Sequence, residues 1–268
     1  MRFLPFLACL LIAFPAIAAD PGIPLEIEAD KALVWDEANK QYRAEGNAVA
    51  RQGDMQVTAD LLTADYHSTS GQTDIWQIVA TGNVKLSASG STGTGDKLVY
   101  DITKGQAVLT GQNLMMTGKD GSKVTANERF EYWSADRRAV AVGDAKLIQG
   151  QTTLASQTIT AWLAAENTAT PKTTQALGNI ERAEASGAVT ITTPTETITA
   201  QRGEYRGNTN TAYLYGTVVL KRPPNTLEGA RAEINLTTNV SQLFAGTDAQ
   251  GKPGRVKGVF YTKTRAAK

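Results

Sequence analysis

The chain has 268 residues, 27 Lys+Arg against 26 Asp+Glu, one histidine and one cysteine. A balanced charge with basic residues scattered singly leaves no footprint for nucleic acid, and one histidine with one cysteine cannot build a His/Cys metal cluster. No Gly-rich phosphate loop is present, no Ser-His-Asp set has a histidine to spare, and no spacing assembles a carboxylate pair for hydrolysis. We therefore expect no enzyme, no cofactor and no metal.

In chain order, Met1-Arg2 is a short basic start, Phe3 to Phe14 an apolar run and Ala16-Ile17-Ala18 a small-residue cleavage site. This reads as a secretory signal peptide over 1–18, too short to span a bilayer. The rival, a lipid anchor at Cys9, has a poor fit in Phe6-Leu7-Ala8 before it. Cys9 leaves with the signal, so residues 19–268 hold no thiol. His67, beside Ser68-Thr69-Ser70-Gly71, reads as a solvated loop histidine.

From there the pattern is β throughout. Gly46, Gly82, Gly111, Gly143, Gly187 and Gly216 each sit inside an alternating strand, an irregular repeat of roughly thirty residues. Counting outward by twos reaches apolar residues on both sides, such as Tyr42 and Ala44 before Gly46 and Ala48 and Ala50 after it. At Gly111 the downstream half slips by one, to Leu114 and Met116, as a bulge requires. Intervening residues such as Glu45, Arg51, Lys85, Lys146, Glu184 and Lys221 are polar, so one face of each strand turns inward and the other meets water.

A glycine recurring at one phase of a strand marks a shared bend or a close backbone approach at each rung. The first five such strands are each followed by a second alternating segment that ends in an aromatic, Tyr66, Tyr100, Tyr132, Trp162 or Tyr205, which we read as packing at strand ends, and the sixth by one that ends in Leu236. The polar, Thr-rich segment 166–175 reads as a surface loop inserted in the repeat. Stacked strand pairs of this kind give an all-β, solenoid-like fold of two sheets, with either a filled core or an open lumen.

The opening "PLEIEADKALVWDEANKQYRAEGNAVARQGDMQVTADLLTADY" from Pro24, the repeated "GN" strands and the late "GRVKGVFYTK" from Gly254 resemble the OstA-like family of periplasmic lipopolysaccharide-transport proteins. The resemblance covers 19–268 as a single domain and implies an open-ended, V-shaped β-jellyroll of two antiparallel sheets, with a greasy interior for the acyl chains of lipopolysaccharide. It further implies a periplasmic location and end-to-end joining through terminal strands, linking an inner-membrane complex to an outer-membrane translocon. The chain departs from the compact bridge members in length, by one or two repeats and the loop.

The resemblance places acyl contacts at Leu25 and Ile27 on the first strand. Phase alone extends the lining to Val57, Ile78, Val84, Leu86, Val189, Ile191, Val218 and Leu220. Small inward residues also suit a tightly packed sandwich, and the sequence leaves both open. Edge strands for joining are expected at Pro24 to Asp30 and Arg255 to Lys263, the latter guarded by Lys257, Lys263 and Arg265. The alternatives are a structural or adhesive β-solenoid and a soluble carrier of another lipid.

Overall fold

A computed structural model describes residues 24–69, 72–164, 180–238, 240–247 and 254–261. The expected signal peptide at 1–18 and the loop at 166–175 lie outside the described residues, as do Lys263 and Arg265. Every regular element described is a strand: β1 (Glu26–Glu28), β2 (Ala32–Asp36), β3 (Gln41–Gln52), β4 (Met55–Thr69), β5 (Gln72–Ala88), β6 (Ser91–Asp101), β7 (Gln106–Thr110), β8 (Leu114–Thr117) and β9 (Lys123–Ala126). The second part adds β10 (Arg129–Trp133), β11 (Arg138–Gln149), β12 (Thr152–Leu163), β13 (Ile180–Thr192), β14 (Thr197–Arg206), β15 (Thr211–Arg222), β16 (Asn225–Asn235), β17 (Val240–Phe244) and β18 (Lys257–Val259).

From β3 to β6 and from β11 to β16 each strand pairs antiparallel with the next, and β7 with β10 and β8 with β9 join the two runs, so the sheet is one long meander. Short strands come in twos where a long strand is cut: β1 and β2 lie end to end along one edge of β3, β7 and β8 along one edge of β6, β9 and β10 along one edge of β11, and β17 and β18 along one edge of β16.

The cuts and the glycines fall on one line across the sheet. Between Glu45 and Ala48 on β3 the register skips two residues, against one, Asp60, on β4, and the same irregularity recurs at Thr81/Val84, Val142/Ala145, Ser186/Val189 and Tyr215/Val218. At each of these skips a glycine and its successor both have positive φ, as in Gly82 (78°) with Asn83 (49°) and Gly143 (88°) with Asp144 (44°). Two left-handed residues in succession bend a strand sharply, and the first tolerates little besides glycine. Close approach adds to this, since a Cβ on Gly82 would stand 2.3 Å from Asp60 Oδ2. That same oxygen accepts a hydrogen bond from Asn83 Nδ2 at 2.9 Å. Gly111 differs: the expected one-residue slip is a break of three residues between β7 and β8, although Leu114 and Met116 do face inward and are buried.

The sheet folds along this crease. The A half holds β2, β7, β10, β17 and segments such as Tyr42–Glu45, while the B half holds β1, β8, β9, β18 and segments such as Ala48–Gln52. The two antiparallel sheets expected from sequence are therefore the two halves of one sheet. Their inner faces pack together: an added Cβ on Gly95, in the B half, would lie 2.8 Å from Leu109 Cδ1 in the A half. One buried cluster runs from Ala44 on β3 through Leu98, Leu109 and Phe130 to Ile180, and a second from Ala185 to Ala232, with Leu154 packed against both. The strand phase shifts at the crease, so Leu62 instead of Leu61 joins the core on β4.

Candidate functional site

The inner face is the candidate site, and its rows are set by distance from the crease. Two residues past each glycine come Ala48, Val84, Ala145, Val189 and Val218, all fully buried where the halves meet. Four past it, Ala50, Leu86 and Ile191 are only half-buried and pack against the core from its edge, whereas Leu147 and Leu220 are buried. The ten residues proposed from sequence divide along these lines. Val57, Val84, Val189, Val218 and Leu220 lie in the core; Leu25, Ile27, Ile78, Leu86 and Ile191 are half-buried. Leu154 and Leu227, which share the half-buried row, complete it along the B half.

The two extremities differ from the middle. Leu33 pairs with Ala44 and Trp35 with Tyr42, which places both on the inner face. Yet Leu33 is 63 % exposed and Trp35 65 %. Trp35 lies 6.1 Å from Tyr42, Tyr42 lies 4.8 Å from Tyr66, and the Trp35 indole N–H donates to the Tyr66 hydroxyl at 2.7 Å. An indole held at its polar edge and bare on its apolar face is a stacking platform at the open end.

At the other extremity Gly258 pairs with Leu227, so Val256 and Phe260 share its inner phase, and both are exposed. Neither end pair was singled out from sequence. Periodicity marks them as inward-facing, but only the pairing shows that no rung follows.

Of the strand-end aromatics, Tyr66, Tyr100, Tyr132 and Tyr205 are buried, whereas Trp162 faces outward beneath the Arg182 guanidinium at 4.7 Å. Burial pushes the Tyr100 phenol up to about 12, helped by Tyr132 and Asp101. Asp101, at the end of β6, accepts from Lys104 Nζ and Thr103 Oγ1, both at 2.6 Å, which hold its carboxyl at about 2.

The outer face of the A half in the second part of the chain carries a ladder of arginines over aromatic rings, Arg138 on Trp133, Arg202 on Tyr215, Arg206 on Tyr213 and Arg231 on Phe244. Two of these arginines also pair with a glutamate two residues away, Arg206 with Glu204 and Arg231 with Glu233. His67 lies on a strand, not in a loop; it is exposed and stacks on Trp76 at 5.8 Å. Among the described residues no group of three His, Cys, Asp or Glu side chains could hold a metal ion.

Comparison with curated protein sequences gives no match. Among solved structures the chain is similar to LptH, described as the LptA homologous periplasmic component of the conserved lipopolysaccharide transport device from Pseudomonas aeruginosa. Identity is 10 %, the alignment covers 89 % of this chain and 96 % of that one, and the TM-score is 0.23. The family model described as LptA/(LptD N-terminal domain) LPS transport protein matches twice, over residues 26–130 and 123–240. With those two matches spanning nearly all of the described meander, the chain belongs to the LptA/(LptD N-terminal domain) family of LPS transport proteins.

Proposed function

We propose that this chain carries lipopolysaccharide across the periplasm by its acyl chains, held along the apolar inner face, and that it joins partners end to end through its terminal strands. The observation that carries this reading is the opening of the inner face at both extremities, through Leu33 and Trp35 at one end and Val256 and Phe260 at the other. Burial of apolar surface supplies roughly 0.8 kcal/mol per methylene, so ten methylenes give on the order of 8 kcal/mol without any catalytic group.

The path runs along the half-buried row, Leu25 and Ile27, then Leu86, Leu154 and Ile191, and on to Leu227. The buried row beside the crease holds the halves together. A succession of similar weak contacts lets a ligand step along and leave. The terminal strands β1/β2 and β17/β18 each have one edge that pairs with nothing among the described residues, which suits joining by strand addition to inner- and outer-membrane components of the same pathway. The signal peptide at 1–18 and a single functional unit over 19–268 belong to the same proposal.

A filled scaffold is the second reading, favoured by the fully buried Leu98, Leu109 and Leu114 in the middle rungs. A photo-crosslinking residue at Ile27, Leu86 or Val84, irradiated in cells making lipopolysaccharide, separates the two. Adducts at Ile27 and Leu86 with little at Val84 are expected; no adduct at any of the three leaves the scaffold.

A further inference from the structure

The family model's double match has a structural counterpart. Residues 26–66 align with 123–163 at an offset of 97, and from Gly82 to Gly187 the offset becomes 105. Left-handed residues recur at the first offset: Lys40 and Arg137 (53° and 46°), Asn47 and Asp144 (43° and 44°), Gly53 and Gly150 (60° and 55°). Irregular backbone hydrogen bonds recur at both. Tyr66 N donates to Lys40 O as Leu163 N does to Arg137 O, and Ile102 N donates to Trp76 O as Gly207 N does to Glu181 O. Two copies of one module therefore stand in series.

In the second copy β9 and β10 occupy the place of β1 and β2, but here β8 and β7 cover them, with Leu109 opposite Phe130 and Ala107 opposite Tyr132. At this internal seam Phe130 and Tyr132 are 4 % and 5 % exposed, against 63 % and 65 % for their counterparts Leu33 and Trp35. Two copies on one backbone serve as each other's control: a side-chain pattern present in one and absent from the other is not demanded by the fold.

Such a pattern lies on the outer face of the A half, in the last row before the turns. In the first module this row reads Asp36, Gln41, Asp65, Gln77 and Asp101 across β2 to β6. No like charges stand directly opposed there, and Gln41 Nε2 donates to Asp65 Oδ1 at 2.8 Å. The same places in the second module hold Trp133, Arg138, Trp162, Arg182 and Arg206 across β10 to β14. Arg182 lies directly opposite Arg206, and in the next row Glu184 lies directly opposite Glu204. Like charges directly opposed destabilise a sheet, so these rows are not arranged for folding.

An aromatic ring lies beneath each of the three arginines: Trp133 at 5.1 Å from Arg138, Trp162 at 4.7 Å from Arg182 and Tyr213 at 4.8 Å from Arg206. A ring attracts the guanidinium charge and fixes its place without consuming an N–H donor. At the corresponding ring positions the first module has Asp36, Asp65 and Val108. Glu184 and Glu204 accept from Arg182 Nη2 and Arg206 Nε, and Asp136 lies 3.8 Å from Arg138. Both Nη groups of Arg206, and Nε and Nη1 of Arg182, have no hydrogen-bond partner among the described residues.

We propose that Arg138, Arg182 and Arg206 hold the phosphorylated head of the lipopolysaccharide whose acyl chains lie against the inner face. The inference rests on the acyl-chain reading above and adds the seat of the ligand's charged end. The row is the rim of the A half, the end farthest from the crease, and on the same strands Ala183 faces inward opposite Tyr205 and is half-buried. Tails that pass over Ala183 onto the inner face leave the head at this rim. Guanidinium takes phosphate through paired, charge-assisted hydrogen bonds, and arginines on adjacent strands, about 4.8 Å apart, can share one phosphate. A phosphate between Arg182 and Arg206 turns their mutual repulsion into attraction for the ligand. The three aspartates of the first module's rim repel the same group, which directs the head to the second module.

The test measures binding of the full chain to lipopolysaccharide and to the same lipopolysaccharide stripped of its phosphates. It compares the parent protein with a variant carrying Arg138→Gln, Arg182→Gln and Arg206→Gln, and circular dichroism verifies the fold of each. The parent is expected to prefer the phosphorylated ligand roughly tenfold, a preference that shrinks with added salt. The variant is expected to bind both ligands as the parent binds the stripped one. Arg43→Gln, on the same face of the first module, is expected to keep the parent's preference. A parent that binds the two ligands alike, or a triple variant that keeps the preference, overturns the rim site and leaves the acyl-chain reading standing. No binding of either ligand by the parent overturns both. Where the triple variant does not fold, Arg206→Gln alone carries the test: a preference reduced about twofold is expected, and an unchanged one overturns the site.

Discussion

The open end and the internal seam are the same pair of strands in two surroundings. At the seam β9 and β10 have a neighbour on each side and their inner side chains are dry; at the open end β1 and β2 have one neighbour and Leu33 and Trp35 are bare. The side chains are of like kind and size, so composition does not cause the difference. Exposure here is created by the absence of the next rung. It follows that apolar residues at the end contribute little to folding of the single chain and are available for contacts outside it.

Truncation tests that contrast most directly. Phe130→Ala empties a core position and is expected to cost about 3–5 kcal/mol, read as a lowered urea midpoint. Leu33→Ala, at the equivalent position, is expected to change stability by less than about 0.5 kcal/mol. Equal losses at the two sites would break the comparison.

The crease offers a second, smaller contrast. Gly82→Ala forces a left-handed residue, costing about 1–2 kcal/mol, and drives a methyl into the Asp60 carboxylate. Gly121, with φ of 80° but nothing within 4 Å of an added Cβ, isolates the backbone part. In urea titrations Gly82→Ala is therefore expected to lose more stability than Gly121→Ala. If the two losses match, the close approach at the crease contributes nothing.

The smallest effect distinguishes the two modules. Asp101 ends β6, whereas its counterpart at the offset of 105 is Arg206. The Lys104 and Thr103 contacts lower the Asp101 carboxyl from 3.8 to about 2. A lowered folded-state value stabilises above the unfolded value and is lost as pH falls through the folded one. Asp101→Asn is thus expected to be less stable than the parent protein at pH 7, with the gap in urea midpoint closing between about pH 4 and about pH 2. A gap that persists at pH 2 would remove the carboxylate from the account.

Much of the fold was legible because its grammar is local. Alternation identified the inner face, and the glycines marked the bend, since no other residue so readily takes φ near 80° beside an Asp or Gln side chain. The candidate lining was legible in phase but not in depth. Val84 and Leu86 read alike in sequence, yet one sits beside the crease and the other at the edge of the core. On β4 the inner phase passes from Ala59 to Leu62, because the single residue crossing the crease, Asp60, shifts the phase of its strand, and alternation alone would have carried it to Leu61.

The duplication escaped notice for a different reason. Its signature is backbone conformation at pairs such as Lys40 and Arg137, while the intervals between the repeat glycines vary enough to hide the longer period. Leu33 and Trp35 as bare inner residues were equally hidden, because a strand's own sequence does not say whether another will cover it.

The meander has a consequence for how the molecule is made. With every long strand bonded to the one before it and none slotted between two earlier ones, closure entropy stays small at each addition. A chain threaded out of a narrow exit, amino end leading, can zip up rung by rung as it emerges. Nothing synthesised later has to be inserted into what has already set.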